Sequence, residues 1–253
     1  MSGQLVQPAA LTSDWLYDWL KRLLIPSLRN SQHVYAEHLH RRSAVARAWL
    51  DIGCGHDVVP QWLGVAANGL SPLAGVDLDA VALRSNSRVR FAIVGNGESL
   101  PFADRSFDLV TANMVLEHVA VPDRLFREVA RVLQPGGVFL VHTPNRSGYT
   151  TLLTRAIPQR LRASLAGTLH DRRAEDVYPT HYRANSAPVL RRLADRCGFE
   201  IPTLDYVLSS PQLIRVAPLL VPEMVLIAAL QAQALAGMRP CLLATFRRRE
   251  VHA

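Results

Sequence analysis

Lysine is almost missing from this chain: Lys21 stands alone beside 27 arginines. Such a skew follows genome base composition as readily as function, so the arginine total by itself assigns no partner. Cysteine is scarce too. Cys54, Cys197 and Cys241 are odd in number, widely separated and without CxxC spacing, which argues against a disulfide framework and a structural zinc site and predicts a reducing, cytoplasmic setting. Met1–Ala10 holds no Lys or Arg, and the apolar residues that follow are broken by Asp14, Asp18, Lys21 and Arg22, so no signal peptide is expected. Low-complexity tracts and internal repeats are also lacking. The uncharged stretch Met224–Met238 is 15 residues long, short of the ~20 that a membrane-crossing helix needs.

What remains is a globular composition, 49% hydrophobic and 19% charged over 253 residues, enough for one large α/β domain. The net charge of +7 is unevenly spread. Residues 51–145 carry 7 basic and 10 acidic side chains, whereas 146–196 carry 10 and 4, a local +6 that would attract an anionic substrate, a phospholipid headgroup or RNA.

Helical periodicity places Trp15, Leu16, Trp19, Leu20, Leu23 and Leu24 on one stripe that Pro26 stops, and a second helix is expected from Ser31 to Ala46. The period then changes. Short apolar strands are expected at 48–52, 73–77, 89–94, 107–112 and 138–143, interleaved with helices at 60–67 and 122–133. This alternation predicts a parallel sheet covered on both faces. Beyond Pro144 a basic segment leads to a helix over 188–197, a strand over 199–208, an apolar helical stretch over 211–237 and a last strand over 240–246. The division expected is an N-terminal helical extension over 1–47 and one domain over 48–253, with 146–196 as a basic substrate cover and 211–237 as an apolar helical insertion.

The first chemical signal is Trp49-Leu50-Asp51-Ile52-Gly53-Cys54-Gly55, a strand ending in a glycine turn. Glycines there let a ligand approach the backbone, and ligands of open parallel sheets bind beyond the strands' carboxyl ends. A dinucleotide fold would want GxGxxG, but position 58 is Val58. S-adenosylmethionine has no phosphate to cradle, and an acidic residue just before the glycines, here Asp51, can organise the turn and the cofactor's amino group. Asp77 ends the second strand, where a carboxylate can accept both ribose hydroxyls. Alone it fits either cofactor.

The blocks Gly95-Asn96-Gly97-Glu98-Ser99-Leu100-Pro101-Phe102, Ser106-Phe107-Asp108-Leu109-Val110 and Arg131-Val132-Leu133-Gln134-Pro135-Gly136-Gly137 decide between them. Their order and spacing resemble the class I S-adenosylmethionine-dependent methyltransferases, in particular the small-molecule branch related to ubiquinone and menaquinone methyltransferases. The likeness is strong over residues 46–145. It implies a Rossmann-like, seven-stranded, mostly parallel sheet with helices on both faces and an antiparallel last strand, and S-adenosyl-L-methionine as cofactor. By the same likeness Asp51, Gly53, Cys54 and Gly55 would face the methionine part, Asp77 the ribose, Leu78 the adenine face, Asn96 and Gly97 the adenine edge, and Asn113 the sulfonium side. Two positions depart from the family pattern. Asp57 stands where a third glycine is frequent and Asn96 where an aspartate is, and Asn96 keeps a carbonyl able to accept from the adenine amino group.

Methyl transfer needs alignment first, and a base only when the nucleophile carries a proton. His118 and His142 are the candidates for that base, each just past a strand, with a backbone-bonded helix-start histidine as the plain alternative for His118. Ubiquinone-pathway O-methyltransferases look similar at Leu116-Glu117-His118, where related enzymes hold a metal. Met114 replaces their further glutamate, so no metal is expected. Tyr178, His181, Tyr182 and Arg183 look like part of a substrate lid, against the reading of a solvated basic loop. The expected acceptor is a small or lipid-like molecule that can be anionic, with peripheral membrane contact through the apolar helix and the N-terminal tryptophans. An NAD-binding oxidoreductase, a non-catalytic module that keeps the fold for a membrane surface or a complex, and an RNA methyltransferase are the competing classes. No base-stacking motif or added RNA-binding domain supports the last.

Overall fold

A computed structural model describes residues 8–57, 74–156, 179–211 and 217–250. Two helices, α1 (Pro8–Leu24) and α2 (Ser31–Ser43), precede β1 (Trp49–Ile52). Then follow β2 (Ala74–Asp77), α3 (Ala80–Ser85), β3 (Phe91–Val94), β4 (Phe107–Asn113), α4 (Pro122–Val132) and β5 (Leu133–Pro144). The last third holds α5 (Tyr149–Ala156), α6 (Ala187–Cys197), β6 (Phe199–Val207), α7 (Ala217–Ala229) and β7 (Cys241–Arg248).

The strands form one seven-stranded sheet in the order β3-β2-β1-β4-β5-β7-β6. β3 through β5 are parallel, and β7 runs antiparallel to both β5 and β6. Strand order reverses beside β1, which places the ligand crevice at the carboxyl ends of β1, β2 and β4. The helix expected over 60–67 lies outside the described residues. The apolar stretch expected as one helix over 211–237 is instead α7 followed by a turn and a short 3-10 helix, Gln233–Met238. Arg239 explains the break: its guanidinium donates to the Leu230 and Gln231 carbonyls, which the helix end leaves without intrahelical donors.

Both sheet faces are covered, as the near-continuous burial of β1 and β4 requires. One face packs Leu50, Val110, Phe139 and Phe246 against Phe126 and Val129 of α4 and Leu190 and Leu193 of α6. The other sets Trp49, Leu109, Leu140 and Leu243 against Tyr35, Ala36 and Leu39 of α2. α4 starts at Pro122, whose missing N–H costs nothing at a first helical position, and α6 ends on Gly198 at φ +78°, a left-handed C-cap. A third cluster joins Leu20 of α1 to Leu220, Met224 and Ile227 of α7 and to Tyr149 of α5, whose hydroxyl donates to the buried Glu223 carboxylate at 3.0 Å.

Candidate active site

On the α2 side of the sheet the strands change character along their length. Trp49, Leu109 and Leu140 are apolar, and two residues on, where the pleat returns to the same face, stand Asp51, Thr111 and His142. Asp51 lies in register with Thr111, and Asn113 with His142. The polar ends of β1, β4 and β5 thus converge beneath α2.

Thr111 organises the first pair: its hydroxyl donates to Asp51 Oδ1 and accepts from Trp49 Nε1 at 2.7 Å. Asp51 is only 2% exposed. Burial pushes its carboxyl up to about 8, against the lowering effect of the Thr111 hydrogen bond and with Asp77 and Asp57 adding to the rise. In the second pair His142 Nδ1 stands 2.8 Å from Asn113 Oδ1, and Asn113 Nδ2 donates to Gln32 Oε1 at 3.1 Å. The Tyr35 ring stacks on His142 with centroids 5.6 Å apart. Burial lowers His142 to about 3, so it is neutral at working pH, with its proton on Nδ1 facing Asn113. Its Nε2 is buried without a hydrogen-bond partner among the described residues.

The glycine turn forms the floor beside this cluster. Gly53 has φ +68° and Gly55 φ +45°, both left-handed. A Cβ on Gly53 would come within 2.4 Å of Val115 Cγ2, whereas among the described residues one on Gly55 would meet nothing nearer than Asp77 Oδ2 at 3.9 Å. Asp77 Oδ2 accepts from Gly55 N and Oδ1 from Asp79 N, each at 2.8 Å, so the carboxylate is held against the turn. Asn86 Nδ2 donates to the Cys54 and Gly55 carbonyls from below. The Cys54 side chain is buried, its Sγ occupying the place where a Cβ on Gly75 would fall, which leaves its backbone as the part able to meet a ligand. Leu78 is 66% exposed beside the turn. Asn96 Oδ1 accepts from Glu98 N at 2.9 Å and keeps one lone pair, while Gly97 faces inward onto Ile52 and Leu125.

The turn thus brings together a carboxylate at Asp77, an exposed apolar side chain at Leu78 and a buried acid at Asp51, groups able to receive hydroxyls, a flat ring and a cationic amine.

The other expected residues come together on a second wall. Leu116–His118 is a turn of 3-10 helix, and the Glu117 carbonyl accepts from His181 N at 2.7 Å and Tyr182 N at 3.2 Å. His118 Nδ1 lies 2.9 Å from the Pro179 carbonyl, and Arg183 Nη1 donates to the Ala120 carbonyl at 2.6 Å. His118, His181, Tyr182 and Arg183, up to 65 positions apart, therefore share one surface; Tyr178 lies outside the described residues. Behind them the buried Glu117 accepts from Thr143 Oγ1 at 3.1 Å, and Asn185 Nδ2 donates to Thr143 Oγ1 at 2.7 Å. His142 stays apart from this wall, under Tyr35. No group of three or more His, Cys, Asp or Glu among the described residues is placed to hold a metal ion.

A methyltransferase domain model matches residues 50–141, the span from β1 to β5. The chain is 31% identical over 181 residues to a probable S-adenosylmethionine-dependent methyltransferase of Mycolicibacterium smegmatis, covering 68% of this chain and 59% of that protein. Residues 50–141 belong to this methyltransferase domain family, and the similarity to S-adenosylmethionine-dependent methyltransferases extends over 181 residues. A demethylmenaquinone methyltransferase of Renibacterium salmoninarum is 37% identical over 105 residues, 34% of this chain and 44% of that protein. The chain thus spans about half the length of these curated relatives. Among solved structures, the crystal structure of an S-adenosylmethionine-dependent methyltransferase from Mesorhizobium loti superposes with a TM-score of 0.52 at 21% identity, over 84% of this chain and 98% of that one, and supports the shared fold. The superfamily's cofactor is S-adenosyl-L-methionine.

The sequence pattern does not mark Gln32, Tyr35 and Thr111 as members of this cluster. Tyr35 sits inside an apolar helical pattern and Thr111 inside an apolar strand, so both read as ordinary core. One signal was available, the Asn30 cap: its Oδ1 accepts from Gln32 N at 2.8 Å and starts α2 where Gln32 reaches Asn113.

Proposed function

We propose that the chain transfers the methyl group of S-adenosyl-L-methionine to a small or lipid-like acceptor, one that can carry an anionic group. The observation that carries this reading is the acidic glycine turn: Asp77 fastened to Gly55, Leu78 exposed next to it, and Asp51 buried behind. Asp77 and Leu78 would hold the ribose and adenine, Asn96 and Gly97 the adenine edge, and the backbone of Gly53, Cys54 and Gly55, with Asp51, the amino-acid arm. Asn113 fits the sulfonium side. When bound, the cofactor supplies a methyl already activated on sulfur, so the protein's task is to align the acceptor and exclude water.

His118 is our candidate base for a hydroxyl acceptor. It is half-buried, on the wall built with His181, Tyr182 and Arg183, with its Nδ1 held at the Pro179 carbonyl and its Nε2 3.9 Å from Glu117 Oε1. His142, neutral and fully buried, suits a positioning role: it orients Asn113 and presents Nε2 to the closed space under Tyr35. Arg183 uses one nitrogen on Ala120 and retains further donors for an anionic group. The similarity to demethylmenaquinone methyltransferases supports a quinone-like acceptor. Titration calorimetry with S-adenosylhomocysteine and NAD tests the cofactor half, and tighter NAD binding would refute it. Mass spectrometry of host lipid extract after incubation with labelled cofactor tests the acceptor half; label confined to nucleic acid would overturn it.

A further inference from the structure

The outward side of the helical layer next to the site is apolar where a surface helix is ordinarily charged. α7 buries Leu220, Met224 and Ile227 inward and presents Leu219, Val221, Pro222 and Val225 outward, with Val225 54% exposed and no charged side chain on that side. α1 packs on it through Leu16, Tyr17, Leu20 and Leu24, and turns Trp15, 68% exposed, Trp19, 50% exposed, and Leu23 away from the core. A stripe at i, i+4 and i+8 on one helix and an uncharged stripe on the neighbour it packs against give this layer seven exposed apolar residues, more than scattered surface positions account for. No helix among the described residues is long and apolar enough to cross a membrane.

We infer that this face docks on the surface of an anionic lipid bilayer. Its composition selects that occupant over a second copy of the chain. Two exposed tryptophans are amphipathic rings suited to the headgroup boundary, and the last turn of α1 adds Lys21 and the exposed Arg22, cations that complement anionic headgroups. A second copy would offer the same cations with only Asp18 as a counter-charge, whereas anionic headgroups complement both. Asp18 lies on the same exposed side and limits the helix to shallow insertion. The face also adjoins the carboxyl edge of the sheet: Asn145, just past β5, donates to the Gly237 and Arg239 carbonyls, and Tyr149 of α5 bonds Glu223 of α7. Docking would set the acceptor wall near the bilayer, where a lipid-like molecule resides. The surface itself does not depend on methyl transfer, and its test needs no cofactor.

The test is co-sedimentation of the full chain with vesicles of phosphatidylcholine alone and of phosphatidylcholine with phosphatidylglycerol. Binding should appear with the anionic vesicles, weaken with salt, and fall about tenfold or more in the double variant Trp15→Ser/Trp19→Ser and in Val225→Asp. Lys21→Gln/Arg22→Gln should remove the preference for anionic vesicles while leaving the melting temperature unchanged. Equal binding of wild type and the tryptophan variant would overturn the inference. So would a sedimenting dimer that the tryptophan variant dissociates, because the face would then be a self-interface. Failure of S-adenosylhomocysteine to bind would strike the proposed function and leave vesicle binding untouched.

Discussion

Asp51→Asn separates the roles of the buried acid. In the folded protein Asp51 keeps its proton to about pH 8, while in the unfolded chain it releases it near 3.8. Between those values unfolding releases a proton, so Asp51's contribution to stability is complete below about pH 4 and is lost as pH rises toward 8. The slope is at most about 1.4 kcal/mol per pH unit. Asparagine has no proton to release. It brings its own pH-independent cost of about 1–3 kcal/mol, because the amide must find a partner beside Thr111. The informative quantity is therefore how the difference between variant and wild type changes with pH, and not its sign at one pH. From pH 5.5 to pH 8 the balance should move toward the variant by up to about 3 kcal/mol.

Urea unfolding of both proteins at the two pH values, without ligand, measures this directly. A cationic amino group bound beside Asp51 would favour its ionised form, so S-adenosylhomocysteine affinity of the wild type should rise from pH 6 to pH 8, and Asp51→Asn should weaken it about tenfold to a hundredfold. The same stability difference at both pH values would refute the reasoning, since it would mean that Asp51 is already ionised in the free protein.

Asp77→Ala removes the acceptor that holds Gly55 N and Asp79 N as well as the expected ribose contact, and calorimetry with S-adenosylhomocysteine should show a loss of about 1–3 kcal/mol. Gly53→Ala forces a side chain into the left-handed region and onto Val115, so thermal unfolding should register a loss of at least about 1 kcal/mol; unchanged stability would mean the turn relaxes freely. Once an acceptor is known, His118→Ala should lower turnover by about 10²–10⁴ for a hydroxyl nucleophile with cofactor affinity intact. Arg183→Ala should raise the acceptor's Michaelis constant and leave that of the cofactor unchanged, whereas unaltered acceptor kinetics would reduce Arg183 to its structural bond with Ala120.

What could be read from the sequence was whatever depends on local spacing. Asp51 and the two glycines announce themselves because a strand, an acid and a left-handed turn occupy five consecutive positions, and Asp77 because it ends the next strand. The pairing of Asp51 with Thr111 spans 60 positions and exists only because β1 and β4 lie in register, which no period within either strand encodes. His142 was legible as a histidine at a strand end, yet its environment was not: α2 comes from before the sheet in sequence, and its Tyr35, an apolar-stripe residue by pattern, is what closes over the ring and keeps it neutral. The same holds for the second wall, where His118 and Arg183 meet through backbone carbonyls of Pro179 and Ala120 that have no sequence signature at all. The consequence is chemical. Spacing marks the residues of the glycine turn, but the environments of the two histidines differ by which one the N-terminal helix buries, so exchanging Tyr35 for a smaller residue should raise the pKa of His142 toward the ordinary histidine range, as NMR titration would show.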